Sequence, residues 1–202
     1  ARWPAAQVTG VDSSEQMLAR ARQDDPGVEW VCADAATFVP AQPVDLLFAN
    51  AVLHWVPDHA RLFPALMDRL TPGGVLAVQM PESFDLPSHR LMREIRAAIA
   101  PGRPAAGAAL PVEEAAFYYD LLAPRARAVD IWRTTYAHVM ADAEAIVEWV
   151  MGTGLRPYID DLGDARAAFL SAYRRGIQAA YPARIDGKRL FPFPRLFIVA
   201  IR

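Results

Sequence analysis

Four short apolar runs, each closed by a polar or turn-forming residue, constrain this chain more than any other feature. They are AQVTGVD (6–12), VEWVCAD (28–34), VDLLFAN (44–50) and GVLAVQMP (74–81). Near-continuous apolar runs, without polar alternation, belong to strands covered on both faces. The stretches between them read as helices. Ser13 or Ser14 caps a helix whose apolar face is Met17, Leu18 and Ala21. After Asp58, the residues Leu62, Phe63, Leu66, Met67 and Leu70 recur at helical spacing until TPGG (71–74) ends the helix. Strand and helix alternating in this rhythm predict an α/β fold built on a doubly wound, mostly parallel sheet.

The second half is more helical. SHRLMREIRAAIA (88–100) places Leu91, Met92, Ile95 and Ile99 on one face, and PVEEAAFYYDLLA (111–123) follows a loop rich in Pro, Gly and Ala. VDIWRTTYAHVM (129–140) is β-branched and aromatic enough to be a strand. Helical segments at 142–151 and 164–180 lead to a last strand, PRLFIVAIR (194–202). The chain reads as one domain, 1–202, in which 82–126 and 141–187 form a helical cap over the carboxyl ends of the strands.

Composition narrows the function. With 202 residues and 53% hydrophobic content, one well-packed domain is affordable. Twenty-one basic against 23 acidic residues, with no block of like charge, point to neither nucleic acid nor an anionic membrane as partner, which leaves a small molecule. No apolar run is long enough for a membrane span, and the first residues lack the pattern of a signal peptide. The single cysteine, Cys32, lies in an apolar run and reads as a buried, inert thiol in a reducing compartment, hence a cytoplasmic protein. His54 and His59, five apart with Pro57 between them, do not suit a metal pair, and no nucleophile-elbow pattern suggests a hydrolase.

Ligands of an open parallel sheet bind beyond the carboxyl ends of its strands. Asp12, Asp34 and Asn50 fall there. An acid in the place of Asp12 accepts the ribose hydroxyls of a nucleoside. Asp34 can accept the exocyclic amine of adenine while the amide of Ala35 donates to a ring nitrogen. Each residue alone is equally explained as a helix cap or turn former; the three together point to an adenosine-like ligand, and a nicotinamide cofactor would also place an acid at Asp12.

The strings VTGVDSSEQMLARAR, CADAATF, DLLFANAVLHWVPDH and LTPGGVLAVQMP resemble the motifs that follow the glycine loop in class I S-adenosylmethionine-dependent methyltransferases. The Asp-Ser-Ser-x-x-Met-Leu string, and the strand-end Asn followed by AVLHW, separate that family from dehydrogenases. PSHRLMRE, YYDLLAP, VDIWRTTY, IVEWVMGTGLRPY and LFPFPRLFIVAIR are similar to the branch that methylates a carboxylate of trans-aconitate, and the resemblance runs over essentially the whole chain. It implies a Rossmann-like fold and S-adenosylmethionine as cofactor. Asp12, with Ser13 beside it, would hold the ribose, Met17 would pack on the adenine, and Asp34 with Ala35 would read the adenine edge. Asn50, His54 and Trp55 would lie along the methionine portion and the transferring methyl.

The family's Asp-x-Gly-x-Gly-x-Gly motif does not precede Asp12. The resemblance therefore implies a chain cut at Ala1, lacking a strand–helix unit of roughly 30 residues, whose missing strand would sit between 6–12 and 44–50. Neighbouring strands lie roughly 4.8 Å apart, so those two strands are expected to stand apart, and the chain to bind cofactor poorly and to be inactive.

Methylating a carboxylate needs no base, because an acid with a pKa near 4 is already ionised. We therefore assign no catalytic residue. A tricarboxylate needs cations, and the candidates are Arg156, Arg133, Arg195 and His54, with Tyr118, Tyr119, Trp132 and Trp149 as walls. Rival readings are a methyltransferase acting on a hydroxyl or amine, and a non-catalytic relic of the fold.

Overall fold

The computed structural model describes residues 4–103, 105 and 110–202. The Ala1 start and part of the Pro/Gly/Ala-rich loop lie outside them. In chain order the elements are β1 (Thr9–Asp12), α1 (Glu15–Asp24), β2 (Glu29–Cys32), β3 (Val44–Asn50), α2 (His59–Asp68), β4 (Leu70–Pro81), α3 (Pro87–Ile99), α4 (Ala115–Leu122), β5 (Ala128–Met140), α5 (Ala143–Thr153), α6 (Arg156–Ile159), α7 (Arg166–Ala180) and β6 (Arg189–Ile201). Capping chemistry fixes several helix starts. The Ser14 hydroxyl accepts from the N–H of Met17, Asp58 from that of Arg61 and Asp142 from that of Ala145.

The strands form an α/β fold with two sheets. β1 and β2 pair in parallel; the other sheet has the order β3-β4-β6-β5, with β3 and β4 parallel and β6 antiparallel to both its neighbours. β1 and β3 are not hydrogen-bonded to each other. Arg69 ties the two parts together, its guanidinium donating to the carbonyls of Ala35 (3.3 Å) and Ala36 (3.0 Å) in the loop after β2.

Two apolar cores divide the molecule. In the first, Leu76, Val78, Met80, Leu196 and Ile198 of the sheet meet Phe63, Met67, Tyr118 and Leu122 from α2 and α4. In the second, α3, α5, α6 and α7 pack around Met92, Ile146, Phe169, Tyr173 and Ile177, with Phe191 and Phe193 reaching in from β6. The segment 82–126 is thus shared between them: α3 joins the second core and α4 the first.

Three local readings of the sequence need correction. Helix α2 stops at Asp68, where the N–H of Arg69 closes on Leu66 and Met67; Leu70 is a fully buried strand residue paired with Val44, and TPGG lies within β4 with Gly73 at φ 83°. β6 begins at Arg189 rather than 194: Pro192 and Pro194 both pair with β5, and the carbonyl of Pro194 also accepts from the N–H of Glu82 (3.0 Å). β4 reaches no further than Arg195, so this stretch is an edge, where a missing N–H costs little. Cys32 is exposed, not buried: it ends a four-residue strand whose two terminal positions are both exposed.

Candidate functional site

The carboxyl ends of β1 and β2 present the two acids. Asp12 Oδ1 accepts from the N–H of Ser14 (2.7 Å), and Asp34 Oδ1 accepts from the N–H of Ala36 (2.8 Å). Each carboxylate therefore acts as a turn former through one oxygen, which fixes its direction, and its other oxygen has no hydrogen bond among the described residues. Both acids, Ser13 and Asn50 are exposed, Ala35 is half-buried, and Met17 is 58% exposed on the first turn of α1. An apolar side chain left open beside two strand-end acids gives an adenosine-sized ligand an apolar surface and two acceptors, so the residues fit a nucleoside.

After Asn50 the backbone enters a conformation that L-residues avoid, with Ala51 at φ 54°, held by its N–H donating to Gln79 O (2.9 Å). This bend leads into a short turn, Leu53–Trp55. His54 is buried in it, while Trp55 is 41% exposed with its ring centroid 4.8 Å from the imidazole. A buried chain of hydrogen bonds braces the turn. The N–H of Glu113 donates to the Tyr118 hydroxyl (3.1 Å), that hydroxyl meets His59 Nδ1 (2.8 Å), and His59 Nε2 meets Leu53 O (2.9 Å). A carbonyl can only accept, so the ring proton sits on Nε2 and Nδ1 accepts from the tyrosine.

Beyond the turn a cavity opens between the two cores. It is lined by His54 and Trp55, by Pro81, Ser83 and Phe84 after β4, by His89 and Arg93 of α3, by Trp149 and Thr153 of α5, and by Phe193. Its empty volume is about 630 Å³ with the open mouth included. No acidic side chain lines it among the described residues. Burial pulls the imidazole of His54 down to about 4, assisted by the charge of Arg195, and that of His89 also to about 4, assisted by Arg93. Both are neutral at pH 7. His54 Nδ1 and Ser83 Oγ are buried here without a hydrogen-bond partner among the described residues.

The expected acceptor residues are dispersed. Trp149 lines the cavity. Tyr118 is a fully buried core residue rather than a wall, and burial pushes its hydroxyl up to about 12. Tyr119 and Trp132 are exposed, Trp132 stacking on Phe197. Arg133 is occupied by Glu82 (2.9 Å) and Glu114 (2.9 Å). Arg156 opens α6, exposed and outside the cavity lining; Arg195 stacks over the Phe193 ring at 4.4 Å. The sequence reading missed Gln79, Ser83, His89 and Arg93. A legible signal existed for two sets of these: Gln79 is the one polar residue in the run VLAVQM, and His89 and Arg93 share a helix face at i and i+4.

Comparison with known proteins bears on the arrangement. A family described as a methyltransferase domain matches residues 1–78. The trans-aconitate 2-methyltransferase of Azoarcus sp. (strain BH72) is 60% identical over 202 residues, covering 100% of this chain and 80% of that protein. The protein of the same name from Paracidovorax citrulli (strain AAC00-1) is 56% identical, again covering 100% and 80%. Among solved structures, the YcgJ protein of Bacillus subtilis shares the fold with a TM-score of 0.58 at 12% identity, over 98% of this chain and 84% of that one. An S-adenosylmethionine-dependent methyltransferase from Mesorhizobium loti does so with a TM-score of 0.50 at 22% identity, over 98% and 81%.

Proposed function

The chain belongs to the trans-aconitate 2-methyltransferase family, and from that premise we propose that it transfers a methyl group to one carboxylate of trans-aconitate, giving a monomethyl ester. S-adenosylmethionine is the methyl donor; it supplies an electrophilic methyl on a positively charged sulfur. The observation that carries the acceptor class is the cavity beside His54 and Trp55, which is lined by the cation Arg93 and, among the described residues, by no acid. A cavity built for a cationic amine would carry carboxylates in its lining.

The residues divide the work. Asp12 holds the ribose hydroxyls through its free oxygen, with Ser13 beside it; Asp34 and the N–H of Ala35 read the adenine edge, and Met17 covers the ring. Asn50, His54 and Trp55 flank the methionine portion. The acceptor carboxylate is ionised at neutral pH, so no residue removes a proton. Opposite charges approach and cancel in the transfer, and the protein contributes alignment and exclusion of water. Trp149 and Phe193 supply the dry walls, and the segments 82–126 and 141–187 act as the cap. One unpaired cysteine suits a reducing, cytoplasmic setting.

Two measurements test this reading. With the family's glycine loop supplied upstream, incubation with S-adenosylmethionine and trans-aconitate should yield the monomethyl ester by mass spectrometry, and calorimetry should show S-adenosylhomocysteine binding that Asp12→Ala weakens by about tenfold or more. Methylation of amine or hydroxyl acceptors only, giving N-methylamines or methyl ethers, or equal binding by Asp12→Ala, would refute it.

A further inference from the structure

Arg195 differs in its surroundings from the ion-paired arginines of the second half, and shares with Arg189 and Arg202 a set of neutral partners. Arg96 is bidentate on Asp161, Arg174 on Glu144, and Arg133 on two glutamates. Arg195 is half-buried, burial lowers its guanidinium from the usual range, and among the described residues no carboxylate lies within ion-pairing reach of it. Its partners are neutral: the ring of Phe193 beneath it and the Gln79 side chain, whose Oε1 accepts from Nη1 at 2.6 Å. Gln79 is 5% exposed, and its Nε2 is buried without a partner. A desolvated cation and an unpaired buried donor side by side are costly unless an anion completes them.

Their position suits such an anion. Gln79 is the register partner of Asn50 across β3 and β4, and Arg195 pairs with Pro81, which lines the cavity. Arg195 and Gln79 stand just behind the cavity wall: Arg195 stacks on Phe193, which lines the cavity. We propose that Arg195, with Gln79 Nε2 beside it, binds a carboxylate of the acceptor that is not methylated, and that this pair sets the preference for polycarboxylic acids. The assignment rests on the carboxyl-methylation reading above. A planar guanidinium stacked on an aromatic ring has its fork fixed before the acid arrives, so little entropy is lost on binding. Gln79 holds the fork and leaves its own amide for the second carboxylate oxygen.

Two variants test it in the purified protein, with trans-aconitate as the probe read by calorimetry in the presence of S-adenosylhomocysteine. Arg195→Gln should weaken trans-aconitate binding by at least about 30-fold with S-adenosylhomocysteine affinity retained. Gln79→Glu places a carboxylate against Arg195 and satisfies it internally, so it should weaken trans-aconitate binding as strongly while the melting temperature holds or rises. In turnover, both should raise KM far more than they lower kcat and narrow the preference for trans-aconitate over a monocarboxylic analogue. Unchanged trans-aconitate affinity in either variant would overturn the proposal, as would parallel loss of S-adenosylhomocysteine binding or a lowered melting temperature in Gln79→Glu. Trans-aconitate that binds the parent protein through Arg195 yet is not methylated would refute the methylation reading and leave this assignment standing.

Discussion

At the level of single residues, the site depends on side chains that never touch the ligand. Tyr118 is one: its hydroxyl accepts from the Glu113 N–H and donates to His59, which in turn secures Leu53. Tyr118→Phe keeps the ring in the first core and removes only the oxygen, leaving a buried ring nitrogen and a backbone N–H without their partner. We expect it to cost about 1–3 kcal/mol in chemical denaturation, and, because the turn carrying His54 and Trp55 loosens, to raise KM for the acceptor. Stability equal to the parent would show that the chain of bonds is dispensable. Tyr118 illustrates what residue identity alone leaves open: a tyrosine in a helix beside another tyrosine reads equally as wall or core, and only packing separated Tyr118 from the exposed Tyr119.

At the level of elements, β1 matters because its last residue is Asp12. Its pairing with β2 brings Gly10 opposite Trp30, and a Cβ at Gly10 would overlap the indole ring. The ring is held by its Nε1–H, which donates to Asp25 O at 3.0 Å. Gly10→Ala must push the indole off that bond. The expected cost is about 1–3 kcal/mol with weaker S-adenosylhomocysteine binding, and a thermal melt with parallel calorimetry checks both. The positions of the strands were legible from their apolar runs. Their ends were not: TPGG sits inside β4 as an irregularity, where pairing with β3 steps from Leu70 to Val75 and Gly73 takes φ 83°, so the turn residues keep a local bend while the buried Leu70 and Val75 onward hold the strand. The short helix at Arg156–Ile159 was not legible either, since a four-residue helix shows no periodicity and is held by Tyr158 and Ile159 in the second core.

At the level of the whole molecule, His54 and His89 lie where the two cores meet, and that location makes stability depend on pH. Their folded pKa values are about 4, against 6.5 for the free side chain. Between those values the unfolded chain binds more protons than the folded one, so stability is fully present above about 6.5 and is lost as pH falls through about 4. Each histidine contributes on the order of 3 kcal/mol at most. Denaturation midpoints should drop between pH 7 and pH 5, and His89→Gln should remove roughly half of the drop; midpoints that do not move would contradict the burial of both rings. The strand-end placement of Asp12, Asp34 and Asn50, the α/β class and the family were determined by the sequence itself, because apolar runs and the residues that close them are local in the chain. Which cations stand at the cavity was decided only by the tertiary structure: Arg93 lines it, and Arg195 stacks on Phe193 in its wall. Arg133, Arg156 and Arg195 are alike in sequence, and what separates them is non-local: two glutamates brought from β4's exit and the start of α4 neutralise the first, solvent surrounds the second, and a glutamine and a phenylalanine leave the third charged and uncompensated.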